Sequence, residues 1–387
     1  MNEPRRVLVI LATDRLSGPA RQILQIFKYM DRSRYELTLA CTWLLRNPYA
    51  DFFVEAERRG IPPLLLRQRS PFDPSPIVIA RRTIRERGIG LIQTHGYKPG
   101  FIGYVLSKLT GLPWLVFVHG DTAENRKVKL YNSLNMWLTH RADRVVTVSK
   151  AIRDQLVAQG VSQDKITVIH NAIDPSDFDH GEESSDLRLR FGLAPSDQVI
   201  AVIGRFSPEK GQLDFVEAFS CLAQERSRLK ALLVGEGQDE VTLRNRCREL
   251  GLVDRVIFTG YQQDVAPFYN AADLIVLPSL SEGLPNVALE ALLHRRPIVA
   301  TRVGGTPEVV IDGETGILVP PADPAALAEA IGRVLDDPEL RERFADNGCR
   351  LIREEYSPQA KAARIAAVYD VVLAGIKGES KSPPDSG

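Results

Sequence analysis

Short, uninterrupted apolar runs rich in β-branched residues alternate with longer stretches of helical period along this 387-residue chain, and the rhythm runs twice. In the first half the runs fall at 7–12, 36–41, 64–66, 91–94, 114–119, 145–148 and 166–169, with helical patterns between them at 20–30, 76–87 and 133–140 among others. In the second half the runs are 199–203, 231–234, 256–259, 274–277, 298–300 and 317–319, with helical patterns at 213–224, 287–294 and 325–335. A strand covered on both faces reads as a continuous apolar run rather than an alternating one. Alternating strand and helix units of this kind predict an α/β fold with parallel, doubly wound sheets.

The length predicts two domains at roughly 100–200 residues each. The expected division is 1–175 and 195–357, with 176–194 as a linker because 174–193 is rich in acidic, Ser and Gly residues. A further helix is expected at 358–376, followed by a disordered tail at 377–387 made of Gly, Ser, Pro and charged residues.

Formal net charge is zero, but it is unevenly placed. Residues 1–175 hold 26 Lys and Arg against 15 Asp and Glu (+11), and the remainder holds 23 against 34 (−11). A basic half points to an anionic surface or acceptor, and a solvated charged face is the bland alternative. The run Arg81-Arg82-Thr83-Ile84-Arg85-Glu86-Arg87 reads as helix surface; with neutral overall charge and no aromatic platform, no nucleic-acid partner is expected. Four dispersed cysteines with no Cys-x-x-Cys pair are expected to be buried reduced thiols of a cytoplasmic protein. No run of about 18 apolar residues predicts a transmembrane helix. Arg5-Arg6 followed by the apolar 7–12 is shorter than a signal-peptide core and reads as a first strand.

Two clusters follow expected strands. The first, Ser281-Glu282-Gly283-Leu284-Pro285-Asn286-Val287-Ala288-Leu289-Glu290, runs from a strand end into a helix start. Unpaired amides and the helix dipole at such a place favour an anion such as diphosphate, and carboxylates accept hydrogen bonds from sugar hydroxyls. The second, Gly204-Arg205-Phe206-Ser207-Pro208-Glu209-Lys210-Gly211, places two cations at a strand end. Arg supplies forked donors and Lys a point charge.

Taken together and in order, these clusters resemble the retaining glycosyltransferase family 4. Val303-Gly304-Gly305-Thr306-Pro307-Glu308, Asp312-Gly313-Glu314-Thr315-Gly316 and His170-Asn171-Ala172-Ile173-Asp174 add to the likeness, which spans residues 1 to about 375. The resemblance implies a GT-B fold: two facing Rossmann-like domains with an interdomain cleft, the first on the acceptor side and the second binding a nucleotide sugar. The 358–376 helix would cross back to the first domain.

The same resemblance implies the site. Arg205 and Lys210 would bind the donor diphosphate, with backbone around Asn286 and Val287. Glu290 would accept from the ribose, and Glu282 would contact the donor sugar. Arg255-Val256-Ile257-Phe258 resembles the family's nucleobase wall, formed here by Val256 and Ile257. His119, in Val118-His119-Gly120, matches a histidine that orients the donor sugar, whereas His95 reads as structural or as an acceptor contact. Of the loop Ser17-Gly18-Pro19-Ala20 only Gly18 carries over, since Pro19 stands where the family has a second glycine.

The implied activity is retaining, metal-independent transfer from a uridine or guanosine diphosphate sugar to a hydroxyl acceptor, in polysaccharide or glycolipid biosynthesis, with no resident cofactor. The acceptor is expected to be lipid-linked or anionic, with peripheral contact at the inner membrane face. Residues 61–69 read as an interfacial patch, a surface helix or a buried strand. A non-catalytic nucleotide-sugar binder and an epimerase of the same fold are the competing readings. Ser149 reads as a helix N-cap. Gly235-Glu236-Gly237 lacks the third glycine of a dinucleotide fingerprint, with Glu240 in its place. Asp177-Phe178-Asp179 has metal-binding spacing but falls in the expected linker.

Overall fold

The computed structural model describes residues 3–13, 16–44, 51–70, 73–120, 126–178 and 184–379. Its described residues divide into two compact units. One runs to residue 171 and includes the last helix, Pro358–Glu379; the other covers residues 172 to 357.

The first unit is built on a seven-stranded parallel sheet. Its strands are β1 (Arg5–Leu11), β2 (Tyr35–Leu44), β3 (Leu64–Gln68), β4 (Leu91–His95), β5 (Trp114–Val118), β6 (Arg144–Thr147) and β7 (Ile166–Val168), in the spatial order β3-β2-β1-β4-β5-β6-β7. Val7 on the central strand pairs with Leu37 on one side and Leu91 on the other. Val7 to Ile10 are fully buried. Helices cover both faces, which is why these strands read as unbroken apolar runs.

Helix Pro358–Glu379 belongs to this first core, where Ile365, Tyr369 and Val372 are buried. Its Asp370 accepts from Arg34 at 2.5 Å, Tyr35 at 2.6 Å and Arg5 at 2.9 Å. The helix runs past 376 to Glu379, and residues 380–387 of the expected tail lie outside the described residues.

The second unit carries a six-stranded parallel sheet of β8 (Gln198–Ile203), β9 (Leu229–Val234), β10 (Val256–Gly260), β11 (Leu274–Leu277), β12 (Ile298–Thr301) and β13 (Gly316–Val319), ordered β10-β9-β8-β11-β12-β13. Chain order reverses between β8 and β11, as it does between β1 and β4 in the first sheet. Ligands of doubly wound sheets bind outside the strand carboxyl ends at such a switch. Every apolar run assigned above becomes a strand.

Two expectations change, and one open reading is decided. Part of 176–194, read as a linker from its composition, is helix Ser184–Arg190. That helix buries Leu187 completely, and Arg188 donates to the carbonyls of Ala271 at 2.8 Å and Asp197 at 2.6 Å, so it is built into the second unit. Residues 61–69 are β3 and its lead-in, with Ile61 and Leu66 buried, which is the buried-strand reading. Three cysteines are buried, but Cys221 is exposed on helix Gln212–Glu225. No helix among the described residues is long and apolar enough to cross a membrane.

Candidate functional site

In the second unit both clusters lie where the switch puts them. The loop after β8 and the loop after β11 are stitched together by backbone. The Leu280 amide donates to the Glu209 carbonyl at 2.8 Å, and the Ser281 amide to the same oxygen at 3.3 Å. The side chains then meet: Lys210 Nζ lies 2.7 Å from Glu282 Oε1, which also accepts from the Ser279 hydroxyl at 2.7 Å. The Glu282 side chain is 8% exposed and Lys210 31%.

An ammonium has three donors. One goes to Glu282, and the other two have no partner among the described residues. Donors on a cation make strong hydrogen bonds to anionic oxygens. Arg205 is half-exposed and pairs with Glu209 at 2.6 Å. Burial pushes the Glu209 carboxyl up, but hydrogen bonds from Ser207, its own backbone and Arg205, with the guanidinium charge, hold it below its ordinary value.

Helix Asn286–Leu293 starts after Pro285, which offers no capping side chain. Asn286 and Val287 therefore occupy the first turn, where amides point outward and the dipole is positive. Glu290, one turn on, accepts from the Tyr269 hydroxyl at 2.7 Å. Tyr269 is fully buried and stacks on His294, with centroids 5.2 Å apart, so this carboxylate is held by a rigid partner.

The wall residues separate. Ile257 is half-buried on the edge strand β10. Val256 points the other way and is 4% exposed within the second core. The side chain of Val256 is taken up by packing and presents no face to a base; alternation along the strand is the reason.

Supporting residues were not legible as such. The loop 303–305 lies against 282–283: the Gly305 amide donates to the Gly283 carbonyl at 3.1 Å. Gly235-Glu236-Gly237, considered above only as a broken fingerprint, carries the loop after β8. The Phe206 amide donates to the Glu236 carbonyl at 2.9 Å, and a Cβ at Gly237 would lie 2.1 Å from the Phe206 carbonyl oxygen. Among the described residues no group of three or more His, Cys, Asp or Glu is placed to hold a metal ion, and Asp179 lies outside them.

In the first unit Gly18 opens helix Gly18–Tyr29 just after β1. Ser149 caps helix Lys150–Ala158 by accepting from the Ile152 amide at 3.2 Å. His119 follows β5 and is partly buried; its Nε2 lies 2.9 Å from His95 Nδ1. Burial, reinforced by the nearby charge of Lys361, pushes His119 down to about 4. Burial, His119 and Lys361 push His95 well below its ordinary value. Lys361 itself is lowered by burial to about 7 and donates to Gln22.

The sign of the pH dependence follows. Between pH 6.5 and about 4 the unfolded chain binds histidine protons that the folded chain refuses, so stability falls as pH drops through that window. For His119 the effect is about 3 kcal/mol. Thermal melts should therefore show a smaller loss between pH 6.5 and 4 in His119→Gln than in the wild type; equal losses would contradict it.

The Glycosyl transferases group 1 model matches residues 185–350, and the Glycosyltransferase Family 4 model matches residues 16–177. Alpha-D-kanosaminyltransferase of Streptomyces kanamyceticus is 30% identical over 311 residues, 76% of this chain and 80% of its own length. UDP-Gal:alpha-D-GlcNAc-diphosphoundecaprenol alpha-1,3-galactosyltransferase of Escherichia coli is 26% identical over 354 residues, 87% and 88% of the two chains. Among solved structures, Anabaena HepE in complex with UDP-glucose superposes with a TM-score of 0.84 at 24% identity, covering 95% of this chain and 99% of HepE. Sucrose-phosphate synthase of Thermosynechococcus elongatus gives 0.79 at 22%, covering 96% and 100%. With the two parallel sheets, these likenesses establish the GT-B fold.

Proposed function

Because this chain belongs to the group 1 glycosyl transferases, with the amino-terminal region of glycosyltransferase family 4, we propose that it moves a sugar from a nucleoside-diphosphate donor to a hydroxyl acceptor, with retention at the anomeric carbon and without a metal ion. One observation carries the reading. The 205–210 loop and the 279–290 segment meet at the switch of the second sheet, joined by the 2.7 Å pair of Lys210 and Glu282.

Cleaving the bond from sugar to diphosphate builds positive charge on the ring and negative charge on the leaving phosphate. Fixed charges aimed at that separation lower the barrier. Arg205, Lys210 and the amides at Asn286 and Val287 take the negative charge. Glu282 and His119 contact the sugar, Glu290 holds the ribose, and the β10 edge at Ile257 flanks a uracil or guanine base. The acceptor oxygen attacks the face that the phosphate leaves. The bond from the anomeric carbon to phosphate breaks as the new bond forms, and the acceptor proton passes to the departing phosphate oxygen. No cofactor enters this scheme.

The relatives support the partner classes. HepE is solved with UDP-glucose, and the Escherichia coli relative is named for UDP-Gal and an undecaprenol-linked acceptor. With the basic first 175 residues, these favour a lipid-linked or anionic acceptor, polysaccharide or glycolipid biosynthesis, and a cytoplasmic protein at the inner membrane face.

A panel of UDP- and GDP-sugars in EDTA tests the reading by thermal shift, followed by turnover and the anomeric configuration of the product. One donor should stabilise the fold by about 2.7 kcal/mol at a hundred times its Kd, and the product should keep the donor's configuration. Binding without turnover would make the protein a binder; conversion of donor alone would make it an epimerase. A sugar trapped on Glu282 would overturn the single-face displacement.

A further inference from the structure

Four side chains of the first unit form a line from the last helix to His119. Gln93 and His95 lie two apart on β4 and so share one face of the sheet, the face from which Tyr369 of helix Pro358–Glu379 reaches Gln93; His119 follows the neighbouring strand β5. The Tyr369 hydroxyl donates to Gln93 Oε1 at 2.5 Å. Gln93 Nε2 lies 2.7 Å from His95 Nε2, and His95 Nδ1 lies 2.9 Å from His119 Nε2. Tyr369 and Gln93 are fully buried, and His95 is 3% exposed.

The direction of this line decides which His119 nitrogen carries a proton. Among the described residues the Tyr369 hydroxyl has one hydrogen-bond partner, Gln93 Oε1. Turning the amide over would set its NH2 against that hydroxyl and leave a buried O–H with no acceptor, at a cost of about 1–3 kcal/mol. With the amide fixed, Gln93 Nε2 donates, so His95 Nε2 must accept. A neutral imidazole has one donor and one acceptor. His95 therefore carries its proton on Nδ1 and donates it to His119 Nε2. His119, accepting there, carries its own proton on Nδ1. A second proton on either ring would bring two N–H groups face to face, and buried Lys361 opposes the added charge.

We propose that Tyr369, Gln93 and His95 are positioning residues that hold His119 as the neutral Nδ1–H tautomer, leaving Nδ1–H as its single donor toward a sugar oxygen. His119 then acts as a fixed hydrogen-bond donor rather than as a base. The sugar contact rests on the functional reading above; the tautomer does not.

Long-range 15N–1H correlation spectra of the full chain labelled on its six histidines, at pH 7 without donor, test this. His119 and His95 are assigned from His119→Gln and His95→Gln. The expected spectrum has a pyrrole-type Nδ1 and a pyridine-type Nε2 on both rings. Tyr369→Phe keeps the ring and frees the amide, and should shift the His119 tautomer ratio by roughly 5- to 150-fold toward Nε2–H. Tyr35→Phe removes a neighbouring hydroxyl that bonds Asp370 instead, and should leave the ratio unchanged. A wild-type His119 protonated on Nε2, or a Tyr369→Phe spectrum like the wild type, would overturn the proposal. The sugar-contact reading fails separately, if His119→Ala turns over donor as fast as the wild type.

Discussion

Replacing Gly304 with alanine is expected to lower kcat/KM more than a hundredfold and to destabilise the second unit by several kcal/mol. Gly304 sits at φ +48°, where a side chain is strained, and a Cβ there would lie 1.8 Å from the Glu282 carbonyl oxygen and 2.8 Å from its carbon. Backbone cannot yield as a flexible side chain does, so one loop must move. Overpacking of this kind typically costs about 1–3 kcal/mol, with the left-handed backbone adding about 1. The loop that moves carries Glu282 away from Ser279 and Lys210, and a misplacement of about 1 Å can cost a hundredfold in rate. Gly313→Ala is the control: its φ is +76°, but nothing lies within 4 Å of the added methyl. It should lose about 1 kcal/mol of stability and keep its activity. Identical behaviour of the two variants would show that the approach of residue 304 to Glu282 has no functional weight.

Lys210→Ala is expected to lower kcat/KM by about 2–4 kcal/mol of transition-state stabilisation, on the scale of a lost oxyanion donor. It should also destabilise the fold. Among the described residues Glu282, 8% exposed, would keep only the Ser279 hydroxyl as a side-chain partner, and a nearly buried carboxylate without its cation is costly. Because Lys210 is 31% exposed, water softens that loss to about 1–2 kcal/mol. Arg205→Ala should match the rate effect with under about 1 kcal/mol of stability change, since Arg205 is 53% exposed and Glu209 keeps Ser207. Adding Glu282→Gln to Lys210→Ala removes the stranded charge and should restore stability without restoring rate. Recovery of both would reduce Lys210 to a counter-ion for Glu282.

The parts legible in the sequence are those written in local order. Val7 to Ile10 announce a strand buried on both faces because helices cover both sides of β1. Glu282 and Glu290 fall at a strand end and one turn into a helix because a strand, loop and helix unit fixes that spacing. Partners distant in sequence were not legible. Lys210 and Glu282 are 72 residues apart, and Gln93 and Tyr369 are 276 apart; periodicity says which face a residue occupies and not what covers it. Gly304 entered only through a resemblance and Gly237 only as part of a broken fingerprint, since the physical reason for each is a backbone from another loop. Composition misled at 184–190, where the charged helix Ser184–Arg190 anchors itself through Leu187 and Arg188.

Calorimetric titration of UDP against UMP, and GDP against GMP, in EDTA, tests the central claim most directly. If Lys210, Arg205 and the amides at Asn286 and Val287 hold a diphosphate, one diphosphate should bind the wild type at least tenfold more tightly than its monophosphate. That advantage should shrink in Lys210→Ala and vanish when Arg205→Ala is added. Equal affinity for both nucleotides of each pair, or a diphosphate advantage that appears only with magnesium, would contradict the account.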